Sequence, residues 1–369
     1  MRFAADENNT KITGRTIYRD GVRYLGYTGS SVSFRFKGKT AKVELVSDAS
    51  THEKRDYAWV AVFVKEEKDN EISYGAAADE EPYKRFCLDK DEAEYVLYES
   101  DEEKTVTVTL IKYSEAEYAA CGIKWIETDS EEILTPPAAK KLKIEMVGDS
   151  ITCGYGNEGG VEETQHDTSK ENPMGAYSLL TATHLDADVN VVAWNGKGVI
   201  TAYIGEDAPK VKDADWLVPM LYEYTDAGCE RDYLHTPEDK WEKWDNSNFI
   251  PDIITVYLGT NDASYKDNDA ARNEEFVNGY TKFLGTIRSK NPEIPILCML
   301  GTMDKRLCGS VERAVELFNS KNNTDNVYYL ELPFQDEADG LSINWHPTVK
   351  THRKTAEIVE KKIIEILKK

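Results

Sequence analysis

Four short blocks carry residues able to do chemistry: Gly148-Asp149-Ser150, Asn195-Gly196-Lys197-Gly198, Gly259-Thr260-Asn261-Asp262 and Trp345-His346-Pro347. A serine placed where a strand gives way to a helix can act as a nucleophile, but its hydroxyl is nearly inert at neutral pH without an adjacent base. Acyl chemistry therefore needs Ser150, a base, a group that orients the base, and donors for the developing oxyanion. The Gly-Asp-Ser tripeptide alone is common. Its weight comes from the other three blocks downstream, which together could supply the remaining parts of a serine esterase site.

His346 is the candidate base. Of the six histidines, His52 falls in a β-rich region, His166 and His235 in polar loops, and His184 and His352 on expected helices. His346 alone combines a pre-helical loop late in the chain with a following proline, and Pro347 disfavours helical backbone for the residue before it. Asn261 is the candidate side-chain donor of an oxyanion hole. Gly198 would add a backbone N–H where a side chain would obstruct approach, and the N–H of Ser150 would be a third donor. Asp149 and Asp262 lie too close in sequence to the proposed reacting groups to orient His346, and read as acids that fix their local turns. No His/Cys/Asp/Glu spacing suits a metal and no glycine-rich phosphate loop is present, so no cofactor and no metal are expected.

These residues need elements to hold them. Between residues 1 and 130 the pattern is β: Val32–Phe36, Ala41–Leu45 and Thr105–Leu110 alternate, Trp59–Val64 reads as a buried strand, and Ile123–Ile126 as a closing one. Short strands with turn signals and no helical period suggest a β-sandwich. Residues 131–141 read as a linker, the stretch turning acidic from Asp129 and then running Pro136-Pro137-Ala138-Ala139. From 142 to 369 strands alternate with helices. The expected strands are Lys143–Val147, Val189–Ala193, Asp252–Leu258, Ile294–Leu300 and Asn326–Leu332. The expected helices are Gly175–His184, Asn273–Lys290, Ser310–Ser320 and Thr348–Leu367, the last with Ala356, Val359, Ile363 and Leu367 at helical spacing. Such alternation predicts a mostly parallel five-stranded sheet covered by helices, with ligands at the carboxyl ends of its strands. Ser150, Gly198 and Asn261 each follow an expected strand, so they should share one edge. The aromatic-rich segment Ile204–Asn248 reads as an excursion whose rings either bind sugar or pack it onto the body.

Composition narrows the partners. The 369 residues carry a formal net charge of −22, which argues against nucleic acid and anionic membrane surfaces, since both require a basic face. The six cysteines form no C-x-x-C pair and several sit in apolar runs, so reduced core thiols are expected. No leader-like apolar segment opens the sequence, from which a cytoplasmic location is expected. The oligomeric state is left open, a homo-oligomer included.

In this order the four blocks resemble the SGNH (GDSL-type) hydrolases, named for a Ser, Gly, Asn and His that correspond here to Ser150, Gly198, Asn261 and His346. Gly14-Arg15, Tyr27-Thr28-Gly29-Ser30 and Phe34-Arg35-Phe36-Lys37-Gly38 are similar to the opening of the β domain of carbohydrate esterase family two. That resemblance implies a jelly-roll domain joined to an SGNH-type α/β/α domain, no cofactor, and removal of acetyl groups from xylan and related saccharides. It also implies that Trp345 stands beside the base where it would stack on a sugar. One departure is plain: the family's usual aspartate three residues before the histidine is Ile343 here. Either Asp339 or a backbone carbonyl would then orient His346. A lipase- or thioesterase-type hydrolase, and a carbohydrate-binding protein on an inert hydrolase fold, are the alternatives.

Overall fold

A computed structural model describes residues 1–68, 71–77, 79–266 and 269–368. Residues 2–128 form a nine-stranded antiparallel sheet. Its two longest strands, Ser31–Val46 and Glu92–Lys112, pair with each other over most of their length. Register shifts at Gly38/Thr40 and Ala41/Lys42 bend the pair, as bulges do, and the sheet curls round one core. Alternation decides which residues enter it: Val32, Phe34 and Phe36 point inward with Val43, Leu45, Val60, Val62, Val106 and Val108. The runs expected separately at 32–36 and 41–45 are thus one bent strand.

Strands Leu142–Gly148, Ala187–Ala193, Ile253–Tyr257, Ile296–Leu300 and Val327–Glu331 form the expected five-stranded sheet, every neighbouring pair parallel. In space Ala187–Ala193 lies at one edge and Leu142–Gly148 beside it, followed by the other three in chain order. These strands are apolar almost throughout because helices cover the sheet. Tyr177–His184 packs on Val349–Leu367, and Ala270–Lys290 on Cys308–Asn322. The last helix buries Ala356, Val359, Ile363 and Ile366, while Leu367 is exposed, so the stripe ends one residue earlier than its spacing suggested.

The register places the chemistry. Gly148 pairs with Ala193 on one side and Tyr257 on the other. Three strands therefore end at one level, and the segments carrying Ser150, Gly198 and Asn261 all leave from that edge.

The two sheets are locked together by a buried ion pair. Arg15, fully buried, reaches Glu145 on the first parallel strand at 3.1 Å and donates to the carbonyls of Tyr222 and Tyr224 at 2.8 and 2.9 Å. Glu145 also accepts from Tyr222 Oη at 2.7 Å and Asn190 Nδ2 at 2.9 Å. These bonds offset the desolvation of the buried pair, while Arg15 Nε is left without a hydrogen-bond partner. Tyr222 and Tyr224 belong to the excursion, and Tyr224 packs with Trp216 and Trp241 of the same segment against Trp194 of the body. All six cysteines are free thiols, four of them buried.

Candidate active site

Ser150 opens a one-turn helix, Ser150–Cys153, directly after strand Leu142–Gly148. Asp149 is its extended cap, and the Asp149 carboxylate accepts the Ile151 N–H at 3.1 Å. Thr152 folds back so closely that a Cβ on Gly148 would stand 1.9 Å from its Oγ1. Only glycine permits that turn, and the turn is what points Ser150 off the sheet edge.

His346 comes from a loop with unusual backbone. Asn344 and Trp345 both take left-handed conformations, at φ 51° and 65°. Asparagine tolerates this region. A tryptophan there stores of order 1–3 kcal/mol of strain, held by surrounding contacts. Gln335 Nε2 grips the Trp345 carbonyl at 2.7 Å, Asn344 Nδ2 donates to Tyr155 Oη at 3.0 Å, and Ser342 Oγ donates to the Gly156 carbonyl. His346 is then extended (φ −68°, ψ 160°), as the following proline requires.

The result is a short contact between chain segments nearly two hundred residues apart. His346 Nε2 lies 2.8 Å from Ser150 Oγ. Its Nδ1 lies 3.1 Å from the carbonyl oxygen of Ile343. The carbonyl can only accept, so the proton sits on Nδ1 and Nε2 keeps a lone pair facing the serine. Burial lowers the His346 pKa to about 4, against the bonds to the loop backbone that raise it. The imidazole is therefore neutral at physiological pH. Asp339 is elsewhere: its carboxylate is paired with Lys350 at 2.9 Å and Lys354 at 2.5 Å on the last helix. Of the two groups that sequence offered to orient His346, the structure brings up the carbonyl and turns the carboxylate away.

Asn261 Nδ2 donates to the Lys197 carbonyl at 3.0 Å and lies 3.4 Å from Asp149 Oδ2. The sequence suggested that Asp262 fixes its own turn, but its carboxylate binds a distant loop instead. It accepts the N–H groups of Val199, Ile200 and Thr201 at 2.8–3.2 Å, pinning the loop that follows Gly198. Burial raises its pKa to about 6 in spite of those three donors. A Cβ on Gly198 would stand 2.4 Å from Asp262 Oδ2 and from the Thr201 carbonyl. The glycine is thus demanded by the neighbouring loop and acid, not by an approaching substrate. Trp345 leaves 61% of its surface exposed, so it is not buried as loop packing.

Sequence reasoning missed the contribution of the antiparallel unit. Its segment after strand Glu92–Lys112 enters the site. Glu115 Oε2 accepts the Asn195 N–H at 3.0 Å, at the start of the Gly198 loop, and the Glu115 N–H donates to Glu171 Oε2 at 2.8 Å. Burial, then the charge of Glu171, raises the Glu115 pKa well above the carboxylate range. Among the described residues no three His, Cys, Asp or Glu side chains are placed to hold a metal ion.

Residues 146–354 match the GDSL-like lipase/acylhydrolase family. The chain belongs to that family. Residues 12–137 match the N-terminal domain of carbohydrate esterase 2. The cellulase/esterase CelE of Acetivibrio thermocellus is 28% identical over 362 residues, covering 95% of this chain, and the chain spans 39% of CelE's length. An acetylxylan esterase/glucomannan deacetylase of Cellvibrio japonicus is 26% identical over 99% of this chain and 91% of its own. Among solved structures, a family two carbohydrate esterase from Clostridium thermocellum in complex with cellohexaose superposes with a TM-score of 0.79 at 27% identity, covering 97% of this chain and 99% of that one. The acetyl xylan esterase Est2A of Butyrivibrio proteoclasticus shares the fold at 20% identity, with a TM-score of 0.81 over 98% of this chain and 97% of that one.

Proposed function

We propose that this GDSL-family chain is a serine esterase that removes O-acetyl groups from acetylated xylan or related oligosaccharides through an acetyl-serine intermediate. The observation that carries the chemistry is the 2.8 Å contact between His346 Nε2 and Ser150 Oγ, with Nδ1 held by the Ile343 carbonyl. The choice of an acetylated saccharide rests on the family two relatives.

In this reading Nε2 takes the Ser150 proton as Oγ attacks the acetyl carbonyl carbon. The carbonyl oxygen becomes an oxyanion, met by the N–H groups of Ser150 and Gly198 and by the Asn261 side-chain amide. One Asn261 N–H is committed to Lys197. The other is held only at 3.4 Å by Asp149 and is the one that turns to the oxyanion. Collapse expels the sugar oxygen, which takes the proton from His346. Water then attacks the acetyl-serine with the same base, releasing acetate and restoring Ser150. A carbonyl fixes the tautomer of His346 but stabilises the imidazolium less than a carboxylate does. Trp345, exposed beside the base, is assigned to the sugar.

The test is a substrate series: acetylated xylan and glucomannan, and aryl esters from acetate to octanoate. The expected result is acetate release from the polysaccharides and a steep fall in kcat/KM beyond short acyl chains. Comparable turnover of the octanoate would instead favour a lipase-type acylhydrolase.

A further inference from the structure

A chain of packed rings runs from His346 into the antiparallel unit. Tyr155 packs tilted against His346, with ring centroids 4.4 Å apart and planes at 40°. His166 lies on Tyr155 at 4.2 Å and 19°, and Tyr118 on His166 at 4.8 Å and 15°. His166 is therefore sandwiched between two tyrosines, with its Nε2 2.9 Å from Oε1 of the fully buried Glu171. Glu171 is in turn bound by the Glu115 N–H, three residues before Tyr118.

Neither His166 nor Tyr118 touches the serine, and the chemistry of ester hydrolysis asks nothing of them. Their arrangement bears on a different need. The Ile343 carbonyl is a single acceptor on a strained loop, and it restrains the imidazole at one atom only. The Nε2 contact to Ser150 is given up once the serine has attacked, and a ring then held at Nδ1 alone can rock about that bond. Tyr155 closes this freedom twice, by packing its tilted ring against the imidazole and by accepting from Asn344 in the same loop. Tyr155 itself can do so only if its own outer face is backed, and His166 backs it.

We infer that Tyr118, His166 and Tyr155, anchored through Glu171, form a brace that positions His346, so that the antiparallel unit contributes to catalysis through ring packing in a site without an orienting carboxylate. His166 is a positioning residue here, not a catalytic one. The inference rests on the esterase reading for its kinetic part only.

The experiment compares His166→Ala, Tyr118→Ala and a volume-keeping variant in which His166→Phe is combined with Glu171→Gln, which avoids leaving Glu171 as an unpaired buried charge. In His166→Ala, kcat should fall at least about tenfold with KM changed less than about twofold, because misplacing a reacting group by a fraction of an ångström costs that much. The Phe/Gln variant should regain most of that loss, and Tyr118→Ala, a folded control far from the serine, should lose a few-fold in kcat. A second readout needs no substrate: the His346 Nδ1–H resonance should be sharp in the wild type and broadened or lost in His166→Ala. Unchanged kcat and an unchanged resonance in His166→Ala would overturn the brace, as would a loss confined to KM. Should His166→Ala fail to fold, an unchanged kcat and resonance in Tyr118→Ala would do so. A wild type with no esterase activity would refute the proposed function instead, and the resonance would still decide the brace.

Discussion

The Nδ1 atom of His346 lies 3.1 Å from the carbonyl oxygen of Ile343, the residue that stands where related hydrolases usually carry an aspartate. Side chain and backbone have exchanged roles at this position. The Ile343 side chain is fully buried, and its atoms fill the space against Gly156 and Gly159. Its carbonyl does the orienting.

Restoring the usual aspartate should therefore harm the protein. Ile343→Asp removes that packing and puts a carboxylate into an apolar pocket. It should destabilise by roughly 3–5 kcal/mol, combining a core truncation with a buried charge. Thermal unfolding and kcat measured together check this. A variant with raised kcat and an unchanged Tm would show that the carbonyl is a poor substitute rather than the built solution.

The depressed pKa of His346 sets the acid limb. The base works only when deprotonated, so kcat/KM falls as pH drops through its pKa of about 4. Asp149 and Asp262, raised by burial to about 7 and about 6, titrate above it but pass no proton to substrate. Activity should persist at about pH 5, where a histidine with an ordinary value of about 6.5 would be mostly protonated. A pH profile of wild type and Asp262→Asn decides. A limb near 6.5 in both would contradict the assignment.

Asp262 holds three consecutive backbone N–H groups beside the oxyanion loop. Asp262→Ala leaves them buried and unpaired, which should cost about 2–4 kcal/mol of stability and lower kcat about 10–100-fold by loosening Gly198. Asn261→Ala should cut kcat by about 100-fold or more with far less change in Tm, since it removes a donor rather than a loop anchor. Equal effects of the two on Tm would argue against this division.

Trp345 holds a strained backbone while exposing its ring. If the ring receives the sugar, Trp345→Ala should raise KM for acetylated oligosaccharide about 3–10-fold, the range of an aromatic contact. KM for a small aryl acetate should barely move. Parallel kinetics on the two substrates measure this, and equal losses on both would assign Trp345 to the catalytic loop instead.

Much of this geometry was legible beforehand because it is periodic. Alternating and continuous apolar runs announced the five parallel strands and the longer strands of the antiparallel sheet, though not its short strands at 2–3, 11–13, 16–19, 22–25 and 84–87, and the turns after three parallel strands pointed to Ser150, Gly198 and Asn261 at one edge. What was not legible depends on backbone or on distant packing. A carbonyl has no residue type, so nothing in Ile343 advertises its acceptor, and the pairing of Asp339 with Lys350 and Lys354 on the last helix leaves no mark in its spacing from His346. Glu115, Tyr118 and His166 lie in polar stretches with no period; the docking of the two sheets brings Glu115 and Tyr118 to the site, and a loop of the parallel unit folds His166 onto Tyr155. Asp262 read as a local turn residue because a contact with residues sixty positions earlier leaves no mark in spacing.

The central claim is that Ser150, activated by His346, carries the acyl group. The most direct measurement is acetate release from acetylated xylan by Ser150→Ala beside wild type, with each protein's fold checked by thermal unfolding. The account predicts background release from a variant that unfolds like the wild type. Near wild-type release by Ser150→Ala would contradict it.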